Sequence, residues 1–188
     1  WFGVTTLPEL KEDSTGIVAG PKQYIFNSTR RWMNPMNKGV AYGIDGWRLD
    51  VPFEISSAGF WQEFRDRVKA INPEAYIVGE VWRDARQWLD GTQFDGVMNY
   101  LFTAPTIAFT AGDRVVLDYV RSRSYEPYPA LSAPDYAAKI QQLLDLYPWE
   151  IQLTQLNLLA SHDTARLLSI AQHDRASVEL ATLLLFTF

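Results

Sequence analysis

A chain of 188 residues, 47% of them apolar and carrying a formal net charge of −5, is long enough for one domain with a real core. The acidic balance and the lack of any Lys/Arg run argue against nucleic acid as a partner. No apolar run, Leu183 to Phe188 included, has the length of a membrane span. Cysteine is absent, which excludes disulfides and thiolate metal sites but leaves the compartment undecided. Seven Trp, nine Tyr and ten Phe supply core bulk and also flat platforms for sugars or bases. The chain opens on Trp1 with neither Met nor a charged leader and closes on Phe188 inside an apolar run, so it reads as cut at both ends.

Residues 1–40 mix turn signals with one weak helical pattern, Gly20 to Met33, which Asn34-Pro35 ends. Before it, Leu7-Pro8-Glu9-Leu10 reads as an extended loop, since a residue ahead of proline avoids the α region. Gly43 to Glu54, G-I-D-G-W-R-L-D-V-P-F-E, predicts a strand over Ile44 to Val51. Its alternation puts Arg48 and Asp50 on one face, about 7 Å apart by ordinary strand rise. A helix follows from a Ser56-Ser57 cap, with Phe60, Trp61, Phe64, Val68 and Ile71 at helical spacing. Ala75 to Val81 is a second strand, a nearly continuous apolar run of the kind a parallel sheet buries on both faces. A short helix over Asp84 to Leu89 and a third strand over Phe94 to Tyr100 come next. Val115, Val116, Tyr119 and Val120 suggest a further helix, and Tyr125 to Pro134 a proline-rich loop. Tyr136, Ile140, Leu143, Leu144 and Tyr147 then mark an amphipathic helix stopped by Pro148. Gln155 to Ser161 predicts a fourth strand ending in His162-Asp163, and Ala176 to Leu185 a last helix. Strand and helix alternate throughout, which is the pattern of a parallel α/β sheet.

Three of these strands end in an acid: Asp50, Glu80 and Asp163. Parallel strands point the same way, so the three carboxylates are expected on one rim, where α/β barrels keep their chemistry. Glycoside cleavage uses such a set: an ionised carboxylate attacks the anomeric carbon, a protonated one donates to the leaving oxygen, and roughly 5–5.5 Å between them gives retention. Arg48 favours the ionised form of Asp50, and apolar Val78, Val81 and Trp82 favour the protonated form of Glu80. His162, next to Asp163, is a candidate donor to a substrate hydroxyl, whereas His173 has no such company and reads as surface. Asp45 and Asp95, at strand starts, read as caps or ion-pair partners, and Trp82 divides evenly between core packing and a sugar platform.

These stretches resemble the α-amylase family of glycoside hydrolases. G-I-D-G-W-R-L-D-V-P-F-E is similar to its second conserved region, G-E-V-W to its third and L-L-A-S-H-D to its fourth. E-V-W-R-D-A followed by W-L-D-G-T-Q-F-D-G-V-M-N-Y, with Leu7-Pro8-Glu9-Leu10 as the short loop motif, looks most like the neopullulanase and cyclomaltodextrinase branch. The resemblance implies an α/β fold, a partial (β/α)8 TIM barrel from about strand four through helix seven. Residues 1–40 would be the loop region before strand four and residues 41–188 the rest. Carried over, it makes Asp50 the nucleophile, Glu80 the general acid and base, and Asp163 the transition-state stabiliser. Arg48 would orient Asp50, and Arg48, His162, Trp82, Phe53 and Glu54 would form the substrate-binding set. Phe53 stands where this branch usually has asparagine and Lys11 where its loop motif often does, departures that bear on acceptor-side and linkage preference and not on the reaction. The implied partner is an α-glucan, such as maltooligosaccharides, cyclodextrins, starch or pullulan. No organic cofactor is implied; calcium is common in the family, but no cluster of oxygen ligands places one here. Two other readings are a non-catalytic relative kept as a binding module and an enolase-like barrel holding a divalent metal on the three acids. The first conflicts with the retention of all three acids and the second with a fixed cation at Arg48. An incomplete barrel has open edges, so the chain by itself is expected to self-associate.

Overall fold

A computed structural model describes residues 3–121 and 125–188; Trp1, on which the chain opens, lies outside them. A two-residue hairpin, β1 (Glu12–Asp13) and β2 (Gly16–Ile17), precedes α1 (Ala19–Met33). The main sheet has four strands: β3 (Gly46–Leu49), β4 (Tyr76–Gly79), β5 (Gly96–Asn99) and β6 (Leu156–Asn157). Helix α2 (Phe60–Ile71) joins β3 to β4, and α3 (Tyr100–Thr110), α4 (Leu117–Val120), α5 (Ala133–Leu144) and α6 (Trp149–Gln152) lie between β5 and β6. The chain continues through α7 (Leu167–Ile170) and α8 (Arg175–Thr187).

All three strand pairings are parallel, and the order β3-β4-β5-β6 is the chain order. A doubly wound sheet reverses its strand order at a switch point, whereas a barrel adds each strand beside the last. Alternation along the strands separates two faces. Leu49, Ile77 and Val97 turn outward onto Phe60, Phe64 and Val68 of α2, while Val78 and Met98 turn inward with Tyr100. Both faces of β4 are buried, with Ile77 and Val78 at 0% and 5% exposure, as its apolar run predicts. A third cluster, around Ile107, Val120, Ile170 and Ala181, packs α3, α4, α7 and α8 together. Gly46 is required where β3 meets β4, because a Cβ there would lie 2.1 Å from the Tyr76 carbonyl oxygen.

The amino ends of the strands are tied by charge. Asp95, just before β5, pairs with Arg65 at 2.7 Å and Lys69 at 3.1 Å, both from α2, and accepts the Ile77 N–H at 2.8 Å. Burial alone would raise its carboxyl, but these donors outweigh burial and hold it below the usual carboxylate range. The expected ion-pair role of Asp95 is therefore what the fold shows. Nearby, burial and the Asp95 charge push the Tyr76 phenol up to about 12, and its hydroxyl donates to the Thr154 carbonyl. Contacts at the amino end of barrel strands serve stability, which leaves the opposite rim for chemistry.

Several local expectations fail for reasons that are visible. No helix forms over Asp84 to Leu89; the Asp84 carboxylate binds the Arg86 backbone N–H and side chain, closing a turn in competition with a helix. Ser57 does not cap α2, which starts after Gly59 in the left-handed region at φ 74°. Instead its hydroxyl accepts the Ile17 N–H at 2.8 Å and fastens the hairpin loop. Tyr100 opens a buried helix, α3, that the strand reading of Phe94 to Tyr100 overran. The fourth strand is two residues long instead of seven, because its partner β5 passes into α3 at Tyr100, and the Leu158 carbonyl accepts the Thr103 hydroxyl instead of a ladder N–H. None of the described helices is long and apolar enough to cross a membrane.

Candidate active site

The register of β3 against β4 sets Arg48 beside Val78 and Leu49 beside Gly79. The Glu80 N–H bonds the Leu49 carbonyl at 2.9 Å, so Asp50 and Glu80 leave the two strands at the same level. Arg48, from the inward face of β3, reaches both. Its Nη1 pairs with Asp50 Oδ1, and its Nη2 lies 3.0 Å from Glu80 Oε2. The second contact is an ion pair whose angle misses hydrogen-bond geometry, since Nη2 is otherwise buried without a hydrogen-bond partner. One planar guanidinium thus spans two carboxylates, a task that a lysine point charge does not perform.

The backbone after Asp50 contributes as well. Val51 takes φ 33°, ψ 54°, a left-handed conformation that costs a β-branched residue about 1–3 kcal/mol. The turn so made aims the Val51 N–H at Glu80 Oε2, 3.1 Å away, and passes into Pro52, whose carbonyl is held by the Trp61 indole at 3.0 Å. Glu80 is 5% exposed, and its surroundings differ from the apolar pocket that Val78, Val81 and Trp82 suggest. Val51 N–H and Arg48 engage Oε2, and the Trp82 indole N–H engages Oε1 at 3.0 Å. Asp50 is the open member, with its side chain 71% exposed. It faces a cavity of about 460 Å³ bounded by Pro8, Glu9, Leu10, Val51 and Glu54, so the Leu7-Pro8-Glu9-Leu10 loop comes to the carboxylate.

Asp163 is placed less directly than its position after a strand suggests. It lies on a turn beyond β6, its side chain 43% exposed, and pairs with its neighbour His162 at 3.1 Å. His162 is 71% exposed. Tyr100 connects this turn to the rim: its hydroxyl donates to Ser161 Oγ at 2.9 Å, and the Asp163 N–H donates to the same oxygen at 3.1 Å. Burial, and further the carboxylates of Glu80 and Asp163, push the Tyr100 phenol up, while the bond to Ser161 works the other way. Trp82 stacks on Tyr100 with centroids 3.7 Å apart and planes 11° apart, so one face of the indole is spent on packing. Phe53 lies under the Arg83 guanidinium at 4.7 Å and packs against the main core. Glu54 borders the Asp50 cavity.

Arg48, Asp50, Glu80 and Trp82 are thus joined by direct contacts, and Asp163 with His162 through Ser161 and Tyr100. Sequence reasoning passed over Tyr100, Ser161 and Val51. The signal available for Tyr100 was its place at the end of a strand, but it ends that strand with a phenol where the other three end with acids.

Parallel βα units laid down in chain order, with an arginine spanning two carboxylates at the carboxyl ends of adjacent strands, define a carboxylate-bearing α/β barrel. The chain belongs to the α-amylase family: the family described as "Alpha amylase, catalytic domain" matches residues 7–188. Neopullulanase 2 of Thermoactinomyces vulgaris is 38% identical over 98% of this chain and 27% of its own length. A cyclomaltodextrinase of a Bacillus species is 40% identical over 89% of this chain and 26% of its own. Among solved structures, the debranching enzyme of Nostoc punctiforme superposes with a TM-score of 0.85 at 70% identity, over 91% of this chain and 34% of that one. The chain spans about a third or less of these relatives' lengths, and its fold is a partial (β/α)8 barrel.

Proposed function

We propose that the intact protein is a retaining glycoside hydrolase acting on α-1,4 and, in branched glucans, α-1,6 glucosidic bonds. The observation that carries this reading is the Arg48 guanidinium spanning Asp50 and Glu80. It fixes an exposed carboxylate and a buried one side by side at the ends of adjacent strands, two environments that differ as those of a nucleophile and an acid do. Asp50, open to the cavity, attacks the anomeric carbon and forms a glycosyl ester. Glu80 protonates the departing oxygen and then takes the proton of the incoming water. Asp163 faces the positive charge that develops on the sugar, and His162 and Glu54 bind hydroxyls. The Trp82 N–H donates to Glu80 Oε1 and so helps to fix the orientation of the carboxyl group, whose oxygens keep further hydrogen-bonding capacity. The reaction needs no organic cofactor. Calcium is compatible with this reading, and no site for it is assigned: among the described residues no three His, Cys, Asp or Glu side chains gather as a metal site.

The test is the configuration of the first product. Maltotriose hydrolysed by the intact enzyme and followed by proton NMR is expected to release the α-anomer before mutarotation; initial β-anomer would contradict double displacement. Similarity to a neopullulanase, a cyclomaltodextrinase and a debranching enzyme supports an α-glucan as substrate. In this reading residues 1–40 lead into barrel strand four, which is β3, and residues 41–188 run through helix seven.

We propose further that these 188 residues, taken by themselves, self-associate. The outer sides of β3 and β6 carry no strand among the described residues, and unpaired edges recruit other strands. Sedimentation of the isolated chain is expected to give dimers or larger species without hydrolytic activity; a monodisperse monomer would contradict it.

A further inference from the structure

Glu80 and Asp163 leave strands that are not neighbours, because β5 lies between β4 and β6. The side chain that crosses the gap is Tyr100, at the point where β5 runs into α3 without a loop. Its ring is 1% exposed. On one side it lies flat on Trp82, whose indole N–H holds Glu80 Oε1 at 3.0 Å. On the other its hydroxyl donates to Ser161 Oγ, which also accepts the Asp163 N–H. The Ser161 N–H in turn donates to Thr164 Oγ1 at 2.8 Å, so the turn carrying Asp163 is closed upon itself and Tyr100 ties it to the sheet.

We infer that Tyr100 is a positioning residue that fixes Asp163 relative to Glu80 for the reaction. The inference rests on the catalytic reading of those two carboxylates. A buried phenol must find a partner for its O–H, and here that partner is the serine hydroxyl on which the Asp163 backbone hangs. With burial first, and the two carboxylates after it, outweighing the Ser161 bond and the Arg48 charge to push the phenol up, the hydroxyl keeps its proton and serves as a fixed donor. Transition-state stabilisation depends steeply on placement, and a displacement of about 1 Å can cost roughly 100-fold in rate. The link runs through one hydroxyl, which makes it separable from the aromatic stack.

Tyr100→Phe in the intact enzyme keeps the stack on Trp82 and removes the hydroxyl. Its kcat on maltotriose is expected to fall roughly 10- to 100-fold with KM changed less than about twofold, measured well below the melting temperature of either protein. Ser161→Ala should show the same split, and the double variant should lose no more than the worse single one, because both remove the same link. A merely structural role would lower the melting temperature and leave kcat in place. An unchanged kcat in Tyr100→Phe, or losses that multiply in the double variant, would overturn the inference while an active parent enzyme keeps the catalytic reading. A parent enzyme inactive on maltooligosaccharides would overturn both.

Discussion

Asp50→Asn in the intact enzyme is expected to lower kcat by roughly 10,000-fold or more, the scale on which removal of a covalent nucleophile acts. The amide has almost the same shape, and its oxygen can keep the contact with Arg48 Nη1, so the turn through Val51 has no reason to change. What is lost is the ability to form the ester. The effect should therefore fall on kcat, with KM and melting temperature close to those of the parent. Steady-state kinetics on maltotriose beside a thermal melt checks this. A variant retaining a tenth of the parent rate would remove Asp50 from the nucleophile's role, and a collapsed melt would make the aspartate a structural residue.

Glu80→Ala should act differently, and the difference identifies its role. General acid catalysis contributes about 100- to 10,000-fold where the leaving group is poor, so maltotriose turnover should fall over that range. An aryl glucoside with an acidic phenol leaves without help, and its first step should be nearly spared. The second step still lacks a base for water, and added azide, small enough to enter where the carboxylate stood, should restore turnover and yield a glycosyl azide. Equal loss on both substrates with no response to azide would point to a structural residue. That outcome is a real alternative, because Glu80 is 5% exposed and takes contacts from Val51, Arg48 and Trp82. Its removal also leaves Arg48 Nη2 without its ion-pair partner, so a melt must accompany the kinetics.

The parts of this architecture legible in the sequence are those set by local period. Alternation in G-W-R-L-D placed Arg48 and Asp50 on one face, and the apolar run through Ile77 and Val78 predicted a strand buried on both sides. The ion-pair role of Asp95 followed from its place at a strand start. Illegible parts depend on contacts distant in sequence. Tyr100 matters because Ser161 and Trp82 come to it, and nothing in V-M-N-Y announces that. Val51 is left-handed although valine resists that conformation, and the demand for it comes from Glu80 on another strand. Ser57 reads as a cap from its neighbours but is claimed by Ile17 and the hairpin. The short β6 escaped for the same reason, its partner β5 passing into α3 at Tyr100.

The Arg48 fork also separates the carboxylate pair from a metal site. A divalent ion held by Asp50 and Glu80 would have to displace a guanidinium already paired with both, whereas a nucleophile and an acid work with that cation in place.

The central claim is that Asp50 becomes covalently bonded to sugar. It is tested most directly by treating the intact enzyme with a fluorinated α-glucosyl substrate whose second step is slow, followed by proteolysis and mass spectrometry of the peptides. The account predicts one added fluoroglucosyl unit on the peptide containing Asp50, attached at that residue and lost when the enzyme is left to turn over. A label on Glu80, on Asp163 or elsewhere, or an active enzyme that never carries one, would contradict it.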